Sequence, residues 1–331
     1  MRPRFVSGLA ASALIAAVCL AGSSYVDAKI DQRPPATSAG TVTHPRCFGA
    51  ASIAPGHSCH NPALNTMVVP SPALAPRLSN APCATVRIEG AILVCGFGYQ
   101  GPYPTATVAL IGDSHASTWR AALQVLAQSE RWRGISLTQT SCPLSAKTPA
   151  IKQPARSNCE RWKRQLPKWL ARHPEIRTAF VVAHTGGAVL ETEGLSVFEA
   201  QARGYREAWR TLVPASVRHI VVIRDNPGTR LDVLACVKHA IARHEDAGVA
   251  CEVPRASALA PDPEALAAQE LHSPRVKVIE LTQFFCGSEW CRPVIGGALV
   301  YKDVGHLTST YMETVGPYLK PYFDAVLGIH D

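Results

Sequence analysis

Charge is scarce in this sequence, and membrane-length hydrophobic runs are missing from it. Asp, Glu, Lys and Arg together make up 18% of the 331 residues against 47% hydrophobic ones, proportions that exclude a disordered chain and describe a globular protein. No apolar stretch reaches the ~20 residues that span a bilayer comfortably. There is no H-E-x-x-H segment and no C-x-x-C pair, which excludes those zinc patterns. His239 and His244 stand five apart, off the spacing that puts two ligands on one helix face, so no metal is read from them. There is no glycine-rich phosphate loop, no internal repeat and no nucleic-acid-binding signature, and no cofactor is implied. The G-x-S-x-G elbow of α/β-hydrolases is absent too. The formal charge of +8 is spread along the chain; it fits an ordinary soluble surface, and would suit an acidic glycan or anionic envelope surface.

What is present begins with an export signal. Arg2 and Arg4 precede an apolar run over 5–20, followed by Val26-Asp27-Ala28. That is a positive n-region, a short h-region and a small-residue cleavage site, so residues 1–28 read as a signal peptide. The alternative is an uncleaved single-pass anchor. Val18 directly before Cys19 argues against lipid attachment there. Residues 29–46, rich in Pro, Thr and Ser, read as a flexible tether. Residues 47–104 read as a Cys- and Pro-rich lead-in with little periodicity, and 105–331 as the main domain.

Eleven cysteines less Cys19 leave ten. They fall in neighbouring pairs: Cys47 and Cys59, Cys83 and Cys95, Cys142 and Cys159, Cys236 and Cys251, Cys286 and Cys291. In an oxidising compartment, periplasm or extracellular space, such spacing suggests local disulfides, although spacing does not prove connectivity.

From residue 107 onward strand and helix signals alternate. Strands are predicted at 107–111, 134–139, 177–183, 218–224 and 276–281. Helices are predicted at 115–128, 158–172, 196–212, 231–244, 264–272 and 309–327, the last broken at Pro317. Strands alternating with helices imply a three-layer α/β sandwich around a parallel five-stranded sheet. Ligands then belong beyond the carboxyl ends of the strands. The helix over 160–172 is basic and amphipathic. Its tryptophans are expected inward and its charges in solvent, with a glycan- or membrane-facing patch as the sharper reading.

Two motifs carry chemistry. Gly112-Asp113-Ser114-His115 stands where the first strand meets its helix. A serine there is displayed at the positive helix end, where backbone N–H groups can meet a developing oxyanion; the plain reading is a helix cap. Near the C-terminus, Asp303 lies three residues before His306. It can orient the imidazole so that the other ring nitrogen takes a serine proton; the plain reading is a turn before the last helix.

The pair GDSH at 112–115 and DVGH at 303–306 resembles the SGNH (GDSL-like) hydrolase superfamily. The closer likeness is to the SGNH domains fused behind bacterial membrane acyltransferase-3 domains. That likeness includes Cys47-Phe48-Gly49-Ala50, Gly112 to Trp119, Ser141-Cys142-Pro143, Arg224-Asp225-Asn226-Pro227 and Tyr301 to Thr308. It implies a flavodoxin-like fold, with Ser114 as nucleophile, His306 as general base and acid, and Asp303 as orienting carboxylate. The superfamily's G-x-N-D segment is missing: the third strand runs into Val182-Ala183-His184-Thr185-Gly186-Gly187. Backbone N–H groups of Ser114 and Ser141 are candidate oxyanion donors, as are the side chains of His184, Thr185 and Asn226. The implied activity is a serine esterase or O-acyltransferase acting on acyl esters, acetyl foremost, of envelope polysaccharide or glycolipid. The membrane portion of the fused relatives is lacking, so a separate acyltransferase-3 protein is an expected partner, or else an extracellular ester as acyl source. The alternative is a non-catalytic polysaccharide-binding or partner-docking module on the same fold.

Overall fold

The computed structural model describes residues 44–56 and 59–327. The expected signal peptide and nearly all of the tether lie outside the described residues.

Seven strands form one sheet: β1 (Thr85–Glu89), β2 (Ile92–Gly98), β3 (Ala106–Gly112), β4 (Trp132–Thr138), β5 (Ile176–Val182), β6 (His219–Ile223) and β7 (Val276–Ile279). Their spatial order is β1-β2-β4-β3-β5-β6-β7. The five strands β3 to β7 pair in parallel. Their order, second-first-third-fourth-fifth, is the flavodoxin-like one. The predicted parallel sheet is therefore present, and an unforeseen antiparallel hairpin extends it.

That hairpin lies in the lead-in over 47–104, where little periodicity was expected, and adds two antiparallel strands to the five parallel ones. β1 pairs with β2, and β2 with β4, both antiparallel. The alternation is legible in retrospect. In β2, Ile92 and Val94 face the core around an exposed Leu93, whereas Val86 and Ile88 of the edge strand β1 stay exposed. The Cys83–Cys95 bridge closes the hairpin at its base, and a 2.6 Å hydrogen bond from Ala91 N–H to Gln165 Oε1 ties its turn to the helix over 155–171.

Seven helices matter for the layers: α1 (Ser114–Ser129), α2 (Ala155–Ala171), α3 (Val197–Thr211), α4 (Val233–Ala242), α5 (Pro263–Leu271), α6 (Ser309–Val315) and α7 (Lys320–Leu327). A 3₁₀ turn at Gly316–Tyr318 separates the last two, where Pro317 was expected to break the helix. Alternate residues of β3 feed opposite faces. Val108 and Leu110 join Trp119, Tyr311 and Phe323 on the α1/α6/α7 side. Ala109 and Ile111 join Trp162, Trp169 and Trp209 on the α2/α3 side. A strand covered on both faces must read as a continuous apolar run, as 108–111 does. The tryptophans of α2 are buried as expected.

All five expected cysteine pairs are joined: Cys47–Cys59, Cys83–Cys95, Cys142–Cys159, Cys236–Cys251 and Cys286–Cys291. In the lead-in, Phe48 and Ala50 are buried, and Ala50 N–H donates to Thr314 Oγ1 of α6 at 2.9 Å. No helix among the described residues is long and apolar enough to cross a membrane.

Candidate active site

The first crossing of the sheet positions Ser114. Gly112 ends β3 with φ +149, and a Cβ there would stand 2.0 Å from the carbonyl oxygen of Val182. Only glycine lets β3 and β5 approach this closely while the chain turns into α1. Asp113 then caps the helix, its Oδ1 accepting from His115 N–H at 2.8 Å. Its other oxygen accepts from His184 N–H at 2.9 Å, which fixes the loop after β5 to the same turn. Burial raises the Asp113 pKa, against the lowering pull of His115 and the two N–H donors. Ser114 is the first helical residue, so its N–H has no partner within the helix.

The tail segment brings an imidazole to Ser114. His306 Nε2 lies 2.9 Å from Ser114 Oγ across 192 positions of sequence. His306 Nδ1 stands 2.8 Å from Asp303 Oδ2. With Nδ1–H given to that carboxylate, Nε2 is the acceptor for the Ser114 hydroxyl proton. Asp303 Oδ1 also accepts from the N–H groups of Gly305 at 2.9 Å and His306 at 2.7 Å, so the carboxylate builds the turn that carries the imidazole. Partial burial works to raise its pKa, but the bonds from the His306 ring and the two N–H groups outweigh this. They hold Asp303 well below the usual carboxylate range. It is ionised at any pH relevant here.

Beneath this lies a second His–Asp pair that sequence reasoning did not single out. His115 Nδ1–H donates to Asp225 at 2.6 Å, both side chains being buried. Asp225 also accepts from Thr185 N–H at 3.0 Å and Asn226 N–H at 2.9 Å. Its own N–H donates to Asp262 at 2.9 Å. Burial would lower the His115 pKa, yet the net shift is upward because Asp225, Asp113 and Asp303 favour the cation. Glu264 next to Asp262 is fully buried and its pKa is pushed far up, by desolvation first and by Asp262 next. His115 packs against the underside of the 303–306 turn: a Cβ on Gly305 would stand 3.3 Å from His115 Nε2. The only sequence signal for this layer was that His115 and Asp225 both sit at carboxyl ends of predicted strands.

Ser114, His306 and Asp303 line a cleft of about 510 Å³, together with Ser141 and His184. Thr185 and Asn226 do not reach it. They line a smaller space of about 210 Å³ that shares only His115, His184, Val304 and Gly305 with the first. The Asn226 amide is used instead to hold the tail turn, donating to the Gly305 carbonyl at 3.0 Å, and Thr185 N–H is taken by Asp225. Ser141 has φ +56 in the turn after β4.

A family model described as SGNH domain (fused to AT3 domains) matches residues 82–321. Among solved structures, the chain is similar to the periplasmic domain of a lipopolysaccharide acetyltransferase from Salmonella ser. Paratyphi A. That similarity has 10% identity and a TM-score of 0.46, and covers 66% of this chain and 83% of that one. No curated protein matches the chain.

Proposed function

The chain belongs to the family of SGNH domains found fused to AT3 domains, and from that premise we propose that it is an exported serine esterase or O-acyltransferase with Ser114, His306 and Asp303 as its triad. The observation that carries the reading is the 2.9 Å approach of His306 Nε2 to Ser114 Oγ, with Asp303 on the other ring nitrogen at 2.8 Å. Five disulfides support an oxidising compartment.

In this mechanism Ser114 Oγ bonds to the carbonyl carbon of an ester while its proton passes to His306 Nε2. The N–H groups of Ser114 and Ser141 receive the oxyanion, aided by the positive end of α1. The carbon–oxygen bond to the leaving alcohol breaks, and that oxygen takes the proton from His306. Water or a sugar hydroxyl then attacks the acyl-serine, giving its proton to His306, which returns it to Ser114 Oγ as the acyl group leaves. Asp303 stays ionised throughout and steadies the imidazolium. The proposed substrates are acyl esters of envelope polysaccharide or glycolipid, with a separate membrane acyltransferase-3 protein or an extracellular ester as acyl source.

The test is labelling by a fluorophosphonate probe together with p-nitrophenyl acetate turnover, for wild type, Ser114→Ala and His306→Ala. The wild type should label and turn over, and both variants should lose both signals. Equal rates in all three would overturn the triad assignment. An unlabelled wild type that binds glycan would point to a docking module instead.

A further inference from the structure

The cleft beside Ser114 is larger and more aliphatic than an acetyl group requires. Two loops build its outer wall: the one after β4 (141–151) and the one after β5 (184–190). They are laced together by Ala150 N–H to Ala188 O at 2.8 Å and Leu190 N–H to Thr148 O at 3.0 Å. The first is stapled to α2 by Cys142–Cys159 and by Lys163 Nζ donating to Lys147 O at 2.6 Å. The wall is thus a fixed feature of the fold.

Its surface is apolar. Pro143, Pro149, Ile151, Ala188 and Val189 face the cleft. Three polar side chains beside them are engaged within the protein: Ser145 Oγ accepts from Lys147 N–H at 3.2 Å, Lys147 Nζ is paired with Glu193, and Gln201 Nε2 donates to Gly187 O at 2.8 Å; Ser141, His184 and Tyr205 add polar atoms elsewhere in the lining. A sugar ring lodged against Pro143, Pro149, Ile151, Ala188 and Val189 would strip its hydroxyls of water with no partner from those side chains, whereas a hydrocarbon chain would lose nothing. An acetyl group, with only two carbons and an oxygen, fills a small fraction of a cleft of about 510 Å³.

We propose that this cleft is an acyl-chain pocket, and that the acyl group carried by Ser114 is a medium-length chain of about six to ten carbons. This revises the expectation of acetyl and rests on the reading of Ser114 as nucleophile. The sugar hydroxyl or water enters from the open side, past His306, while the chain lies against Ile151 and Val189.

The experiment is a series of p-nitrophenyl esters from two to twelve carbons, each below its critical micelle concentration, on the full chain. kcat/KM should rise about threefold to fourfold per added methylene, reaching on the order of a thousandfold by eight carbons, and level off near ten. Ile151→Trp, checked for an unchanged thermal midpoint, should cut the ratio of eight-carbon to two-carbon kcat/KM at least tenfold. A series that is flat or falls from acetyl onward overturns the pocket. A second readout separates the two readings. Ser114→Ala should bind a dansyl-labelled undecanoic acid, and Ile151→Trp added to it should weaken that binding at least tenfold. Binding without any ester turnover or fluorophosphonate labelling in the wild type would refute the nucleophile and keep the pocket. Turnover of acetyl esters without chain binding would do the reverse.

Discussion

Replacing Asp303 by Asn separates the carboxylate's chemistry from its structural duty. Asn retains an Oδ1 to accept the N–H groups of Gly305 and His306, which Asp303 now holds at 2.9 and 2.7 Å. The turn should therefore persist, and unfolding free energy should change by less than ~1 kcal/mol, the scale of one exposed hydrogen bond. The second oxygen, 2.8 Å from His306 Nδ1, becomes an NH₂ that can only donate. The retained Oδ1 lies 3.0 Å from Nδ1 but already accepts two N–H groups, so the new NH₂ favours the imidazole with Nδ1 unprotonated and its proton on Nε2, facing Ser114 Oγ. In that tautomer it cannot accept the serine proton. The same exchange in a buried triad costs about 10⁴ in kcat. Here the Asp303 side chain is 48% exposed and that of His306 32%, so water can compete for Nδ1. A loss on the order of 10²–10³ is expected. The assay pairs kcat on the preferred p-nitrophenyl ester with the urea midpoint of unfolding. A variant within threefold of wild type would refute the orienting role. A large loss accompanied by a collapsed midpoint would refute the tautomer argument, because Asp303 would then act only as scaffold.

Two further outcomes follow from the same geometry. Gly112→Ala places a methyl 2.0 Å from the Val182 carbonyl oxygen at a φ of +149; it should destabilise the fold by roughly 3 kcal/mol or more and abolish fluorophosphonate labelling, and a stable, labelled variant would show that the β3–β5 approach is not needed. Lys163 is lowered to about 8 by burial, with Glu160 pulling weakly the other way. Its folded value lies below the unfolded one, so the cost of burying the ammonium is in full force below pH 8 and is relieved as pH climbs from 8 through 10.5. Between pH 7 and 9 this group should add ~1 kcal/mol of stability, read as the change in the gap between wild type and Lys163→Met in urea unfolding. A gap that stays constant with pH would contradict it.

The amino-acid pattern by itself determined the sandwich, because each element announces its own burial. The run 108–111 is apolar throughout because β3 is covered on both faces, and the helices carry one apolar stripe each. It also determined which cysteines lie near one another, since each bridge closes a short loop. The hairpin Thr85–Glu89/Ile92–Gly98 escaped because its outer strand leaves Val86 and Ile88 in solvent and so lacks a buried run. The two motifs at 112–115 and 303–306 named Ser114, Asp303 and His306, but a linear pattern carries no distance. Only the packing of the 303–306 turn over the carboxyl ends of β3, β5 and β6 brings the hydroxyl and imidazole to 2.9 Å. The same packing decided that Asn226 holds Gly305 rather than facing the cleft. It also set the pair of His115 and Asp225 beneath the turn, and made the loops after β4 and β5 one apolar wall. Such contacts join segments 40 to 190 positions apart, and spacing along a chain cannot specify which side chains meet once the chain has folded back on itself.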